Sequence, residues 1–143
     1  MTIKSLSKED LEIILDLYNR DFSDGWTENM MLSSFSSGRF LCFGAFTDNQ
    51  LIGVISVTIN FDEADIESVV VSSRMRKKGV ASLLINHTIS NLREKNIKKI
   101  FLEVRKGNIP AINLYKKHGF TDLSVRKKYY FDGEDALVLV KEI

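Results

Sequence analysis

The sequence predicts an α/β (α+β) domain in which strands and helices alternate, and three observations carry that prediction. The run Glu67-Ser68-Val69-Val70-Val71 contains the β-branched residues of a buried strand, and it leads through a basic turn, Arg74-Met75-Arg76-Lys77-Lys78-Gly79, into residues whose apolar positions recur at helical spacing. Along the rest of the chain, short apolar runs of strand character alternate with segments of helical period. The 143 residues suit one domain, 1–143, with a single core of two or three layers.

Taken in order, residues 3–6 form a first short strand. Ser7 suits a helix cap with Asp10 three positions on, and Leu11, Ile14, Leu15 and Tyr18 give that helix a buried stripe. Residues 21–25 break it. Trp26-Thr27-Glu28 opens a second short helix containing Met30, Met31, Leu32 and Phe35; Trp26 is either a packing anchor or a ligand contact. Residues 39–46 and 51–59 are strands joined by a hairpin-like turn at Thr47-Asp48-Asn49-Gln50. Residues 61–64 turn the chain again, and 66–71 form the fourth strand.

The third helix begins near Val80 and ends near Asn96, with Ala81, Leu84, Ile85, Thr88 and Leu92 on one face and Ser82, Asn86 and Arg93 opposite. In a fifth strand, 99–105, Ile100, Leu102 and Val104 point one way and Phe101, Glu103 and Arg105 the other. Glu103 there is either paired with Arg105 or another cation, or a general base. Asn108 suits the cap of a fourth helix and Pro110 its first turn. Ala111, Leu114, Tyr115 and His118 share a face, and Gly119 ends the helix. Residues 120–126 and 136–140 read as a last hairpin, with Tyr129, Tyr130 and Phe131 before the Asp132-Gly133 turn signal. The two tyrosines either pack in that hairpin or line a groove.

Net charge is +1, so no global field points to nucleic acid or an anionic membrane. The single cysteine, Cys42, lies in an apolar run and reads as a small core residue of a chain from a reducing compartment. The N-terminus has no signal-peptide pattern, and no run reaches the ~20 apolar residues of a membrane helix. A cytoplasmic setting is expected. His87 and His118 form no ligand cluster, so no metal is expected either.

The basic turn has a chemistry of its own. The first turn of a helix leaves N–H groups without internal partners and carries the positive end of the helix dipole, so it attracts phosphate. Gly79 and Ala81 leave the backbone between them open, and Arg74, Arg76, Lys77 and Lys78 add charge beside it. The dinucleotide-binding G-x-G-x-x-G and the P-loop spacing are both absent. The alternative is a solvated basic turn before an ordinary core helix.

The form Arg76-x-x-Gly79-x-Ala81 resembles the [QR]-x-x-G-x-[GA] loop of the GCN5-related N-acetyltransferases. Asn108-x-x-Ala111-x-x-x-Tyr115-x-x-x-Gly119-Phe120 resembles their second signature, N-x-x-A-x-x-[LF]-Y-x-x-x-G-F. Leu102-Glu103-Val104-Arg105, Arg126-Lys127-Lys128-Tyr129-Tyr130, Asp135-Ala136 and Trp26-Thr27-Glu28 are most similar to the RimI-type ribosomal-protein alanine N-acetyltransferases. Ser68-Val69-Val70-Val71 departs from the polar-I-A-V pattern frequent there.

The resemblance implies a central mixed sheet of about seven strands, splayed between the fourth and fifth, with helices on both faces. It implies acetyl-CoA as cosubstrate, held by Val69, Val70 and Val71 along the pantetheine arm, by Arg76, Lys77, Lys78, Gly79, Val80, Ala81 and Ser82 around the pyrophosphate, and by Asn108. It implies Glu103 as base and Tyr115 as acid, with Trp26, Tyr129 and Tyr130 toward the acceptor. That acceptor is expected to be a protein N-terminus, alanine of a small ribosomal subunit protein, with direct nucleic-acid and membrane partners not expected. Small amines such as polyamines, amino acids or antibiotics are the alternative. A non-catalytic coenzyme A-binding module is a third reading, against which the presence of both Glu103 and Tyr115 speaks.

Overall fold

The alternation in the sequence becomes a layered structure in the computed structural model, which describes residues 1–22 and 26–143. Among these residues the strands are β1 (Thr2–Ser5), β2 (Phe40–Thr47), β3 (Gln50–Asn60), β4 (Glu63–Val71), β5 (Lys99–Arg105), β6 (Thr121–Arg126) and β7 (Ala136–Glu142). The helices are α1 (Leu11–Asp21), α2 (Glu28–Ser36), α3 (Val80–Glu94) and α4 (Ile109–Lys117). The strands form one mixed sheet in the order β1-β2-β3-β4-β5-β7-β6. Every neighbouring pair is antiparallel except β4 and β5.

Most boundaries follow local chemistry already visible in the chain. Asp48 and Asn49 both adopt positive φ, 50° and 62°, as a two-residue hairpin turn requires. The backbone N–H of Ser7 donates to the Asp10 carboxylate at 2.9 Å, and a short 3-10 turn, Lys8–Asp10, leads into α1. Several expectations need correction. Leu17, rather than Leu15, joins Ile14 and Tyr18 as the buried stripe of α1. Trp26 precedes α2 instead of lying in it, because Thr27 is the cap and accepts from the Met30 N–H at 3.2 Å. The turn expected over 61–64 is tighter, since Phe61 takes φ 59° and β4 already begins at Glu63. The expected break after α1 falls partly on residues 23–25, outside the described residues.

Helices cover both faces of the sheet. On one, Val80, Leu84, Ile85, Ile89 and Leu92 of α3 and Ile112 and Tyr115 of α4 pack against strand residues including Ile55, Val57, Ile100 and Leu102. Gly53 lets α3 settle closely, because a Cβ there would stand 2.8 Å from Val80 Cγ1. On the other face, Ile14, Leu17 and Tyr18 of α1 and Met31 of α2 pack against Cys42, Val54 and Val70. Cys42 is 2% exposed, and burial pushes its thiol up to about 12, in keeping with a core residue.

Two irregularities in β4 shape what lies beside it. Its parallel pairing with β5 runs only from Glu63↔Lys99 to Ile66↔Leu102, and beyond that the two strands part. Against β3, the register passes from Ile66↔Val57 to Ser68↔Ser56, leaving Glu67 as the extra residue of a β-bulge. The bulge exchanges faces. Ala64 and Ile66 belong to the core under α3, whereas Ser68 and Val70 point to the α1 side and Val69 and Val71 pack toward α3.

Candidate active site

The parting of β4 and β5 opens a cleft of about 910 Å³ through the middle of the sheet. From Ser68 to Val71, β4 is paired with β3 on one side and, among the described residues, with no strand on the other, so its edge toward the cleft carries backbone donors and acceptors that a ligand can meet. Because Ile100, Leu102 and Val104 point into the core under α3 and α4, Glu103 looks out on the opposite face of β5. Tyr115 reaches the same cleft from α4. The carboxylate and the phenol thus line one cavity, approached from different sides of the sheet.

Glu103 is 27% exposed and pairs with Arg126, Nε to Oε1, at 3.3 Å. One guanidinium nitrogen of Arg105 donates to Asp132 at 2.8 Å and to Glu134 at 2.9 Å, and the group stacks on the Tyr130 ring at 4.1 Å. The Tyr129 hydroxyl is hydrogen-bonded to Glu103, and that bond, with burial and the charges of Glu103 and Glu67, raises the phenol above its ordinary value against the pull of Arg126. Burial, reinforced by Tyr130, also lifts Tyr115 well above the ordinary phenol range, so it keeps its proton across neutral pH. Its ring stands edge-on to Phe120 at 5.9 Å.

Trp26 lies against Phe40, centroids 6.1 Å apart, and also lines the cleft, so it both packs and faces the site. Tyr129 and Tyr130 line the cleft edge-on to each other at 5.1 Å. Asn108 caps α4, its side-chain oxygen accepting from the Ala111 N–H at 3.3 Å, and reaches the cleft as well.

A family model described as the acetyltransferase (GNAT) family matches residues 11–120. The chain belongs to the GNAT family. It is an acetyl-CoA-dependent N-acyltransferase. The ribosomal protein bS18-alanine N-acetyltransferase of Escherichia coli K12 is 31% identical over 146 residues, covering 99% of this chain and 97% of its own. An N-alpha-acetyltransferase of Saccharolobus solfataricus is 26% identical over 155 residues, covering 99% and 93%. The crystal structure of the ribosomal-protein-S18-alanine N-acetyltransferase from Escherichia coli superimposes with a TM-score of 0.93 at 29% identity, over 99% of this chain and 93% of that one.

In this GNAT chain the loop before α3 takes alternating backbone conformations: Lys77 has φ 62° and Gly79, at the cap, φ 82°. Alternation of this kind can turn N–H groups inward as an anion-binding nest. Among the described residues, no atom other than those of Gly79 and its chain neighbours lies within 4 Å of where a Gly79 side chain would begin. Arg76 is engaged differently from Lys77 and Lys78. Its guanidinium donates to the carbonyls of Val71 at 3.3 Å and Asp21 at 3.4 Å, tying the loop to the end of β4 and to α1. Ser82, in the first turn of α3, shares a 3.0 Å hydrogen bond with His118 at the end of α4. His87 stands edge-on to Phe43 at 4.7 Å.

Sequence reasoning missed two acidic residues of the cleft, Asp65 and Glu67. The signal was present in Glu63-Ala64-Asp65-Ile66-Glu67, an alternation of acids with buried residues along one strand. Burial raises the Asp65 carboxyl, as do Glu103 and Glu63, with Arg126 opposing. Burial raises Glu67 too, with Asp65 and Glu103 adding to it and a hydrogen bond from Thr58 opposing. A carboxyl with a raised pKa holds its proton more tightly folded than unfolded, so its charged form weakens the fold at neutral pH and the penalty fades as pH falls through the folded value. Asp65→Asn is therefore expected to raise the melting temperature near pH 7, with the gain shrinking near pH 4. Thermal melts at the two pH values check this; a lower melting temperature at neutral pH would contradict it.

Proposed function

We propose that this cleft transfers the acetyl group of acetyl-CoA to the α-amino group of a protein N-terminus, namely the N-terminal alanine of a small ribosomal subunit protein. The observation that carries the reading is the pairing of Glu103 and Tyr115 in one cavity at the point where β4 and β5 separate. The acceptor class follows the relatives, a ribosomal protein bS18-alanine N-acetyltransferase and an N-alpha-acetyltransferase.

The residues present fit the cosubstrate. The unpaired edge of β4 at Val69, Val70 and Val71 offers backbone partners to an amide-bearing arm, and the nest over residues 77–82, with the ammonium groups of Lys77 and Lys78, suits a diphosphate. Asn108 lines the cleft together with Val69. Acetyl-CoA supplies an acyl group already activated as a thioester.

The remaining chemistry belongs to the side chains. About a tenth of a protein α-amine, with pKa near 7.7–8.0, is neutral near pH 7, against roughly a thousandth of a lysine at about 10.4. A carboxylate such as Glu103 is a sufficient base for the first, directly or through one water. Backbone N–H groups of β4 are suited to holding the carbonyl oxygen as charge develops on it. Tyr115, kept protonated by burial, donates a hydrogen bond to the departing sulfur. Since a thiol near 8.5 is a stronger acid than any phenol above 10, that bond stabilises the thiolate, and full proton transfer is not required of it. Trp26, Tyr129 and Tyr130 flank the acceptor.

The carboxylates of Asp65, Glu67 and Glu103 favour a second reading, a small cationic amine such as a polyamine. A panel of N-terminal peptides, spermidine, free amino acids and aminoglycosides, assayed with acetyl-CoA, separates the two. Alanine-led peptides acetylated at the α-nitrogen are the expected result. Turnover of spermidine with none on any peptide would replace the first reading by the second.

A further inference from the structure

The mostly apolar core between α1 and the sheet contains a cluster of three buried hydroxyls. Tyr18, Ser68 and Ser56 are 2%, 6% and 0% exposed, and their hydroxyls form a continuous chain: Tyr18 Oη shares a hydrogen bond with Ser68 Oγ, which shares another with Ser56 Oγ at 2.6 Å. Around them lie Leu17, Met31, Cys42, Val54 and Val70. Apolar side chains would fill this space without the desolvation that three hydroxyls bring, so the core alone gives no reason for them.

Their position does. Ser56 and Ser68 face each other across β3 and β4 at the step where the register shifts, and the residue left over by the shift is Glu67. Immediately before that step β4 loses β5 as a neighbour, at Ile66↔Leu102. A strand held on one side only, at a bulge, has lost the ladder that would otherwise fix its height in the sheet. Ser68 also lines the cleft.

The geometry points to Tyr18, Ser68 and Ser56 as positioning residues for acetyl transfer: their hydroxyl chain clamps the β4 bulge, fixing the backbone edge from Glu67 to Val69 against which the reacting groups are aligned. None of the three need touch the acetyl group. Tyr18 acts from the far side of the sheet, through Ser68, on a backbone whose displacement by about an ångström lowers rates by up to a hundredfold. The inference rests on the catalytic reading of the cleft given above.

Tyr18→Phe removes one hydroxyl and keeps the ring, and Ser68→Ala removes the middle of the chain. With acetyl-CoA and an alanine-led peptide, each is expected to lower kcat about tenfold or more, while calorimetry gives an acetyl-CoA dissociation constant that rises much less than kcat falls, because the loop before α3 is untouched and only the Val69 end of the β4 edge is loosened. Hydrogen exchange at the amides of 66–69 is expected to quicken, with exchange in the middle of α3 unchanged. A merely structural role would move both regions together. Should Tyr18→Phe fail to fold, Ser56→Ala carries the same comparison. Variants that turn over within about twofold of wild type, or whose exchange at 66–69 stays at the wild-type rate, overturn the inference and leave the proposed function standing. A wild-type protein that acetylates no amine at all instead defeats the function on which the inference rests.

Discussion

Glu103→Gln is expected to lower kcat on an α-amine acceptor by about a hundredfold near pH 7, with acetyl-CoA binding nearly unchanged. Glutamine keeps the size of the side chain and a hydrogen-bonding oxygen, so the fold has little to lose: the ion pair with Arg126 joins two partly exposed groups and contributes little. What disappears is a proton acceptor on the face of β5 that looks into the cleft. The deficit has a signature in pH. As pH rises past about 8 the amine arrives increasingly neutral, so the ratio of wild-type to variant rates should narrow. Steady-state rates from pH 6 to pH 9 measure this, and equal rates throughout would remove Glu103 from the chemistry.

Gly79→Val is expected to raise the KM for acetyl-CoA by about ten- to a hundredfold and to change kcat much less. A β-branched residue at φ 82° carries strain on the order of 1–3 kcal/mol. A Cβ at this position would meet no described atom within 4 Å beyond its own chain neighbours. The effect therefore comes from the loop moving out of its nest and from the space the valine takes in front of the helix amides. Gly79→Ala, with less strain and bulk, is expected to fall between. A Gly79→Val enzyme that binds acetyl-CoA as tightly as wild type, by calorimetry, would separate this loop from diphosphate recognition.

Much of the fold was legible because local chemistry and burial agree. Alternation along 99–105 assigns Glu103 to the face opposite Ile100, Leu102 and Val104, and Asn108 and Pro110 mark the start of α4. The paired motifs led to the right family and to two side chains that share a cavity. Other features depend on long-range pairing. The Glu67 bulge is a relation between Ser56 and Ser68, twelve residues apart, and no spacing within β4 announces it. Arg126, which pairs with Glu103, is brought alongside only when β6 closes on β7. Phe61 takes a left-handed conformation that its side chain disfavours, so the turn expected over 61–64 gave no local sign of how tight it is.

Three consecutive valines, Val69, Val70 and Val71, fit almost equally well whichever way the strand is turned, so they say nothing about which of two alignments with β3 is correct. A slip by one position would exchange valine for valine in both layers. Ser68 breaks that degeneracy, since its hydroxyl finds Tyr18 and Ser56 in one alignment and would face the aliphatic underside of α3 in the other. A single small polar side chain thus acts as a key that only one threading of the strand accepts.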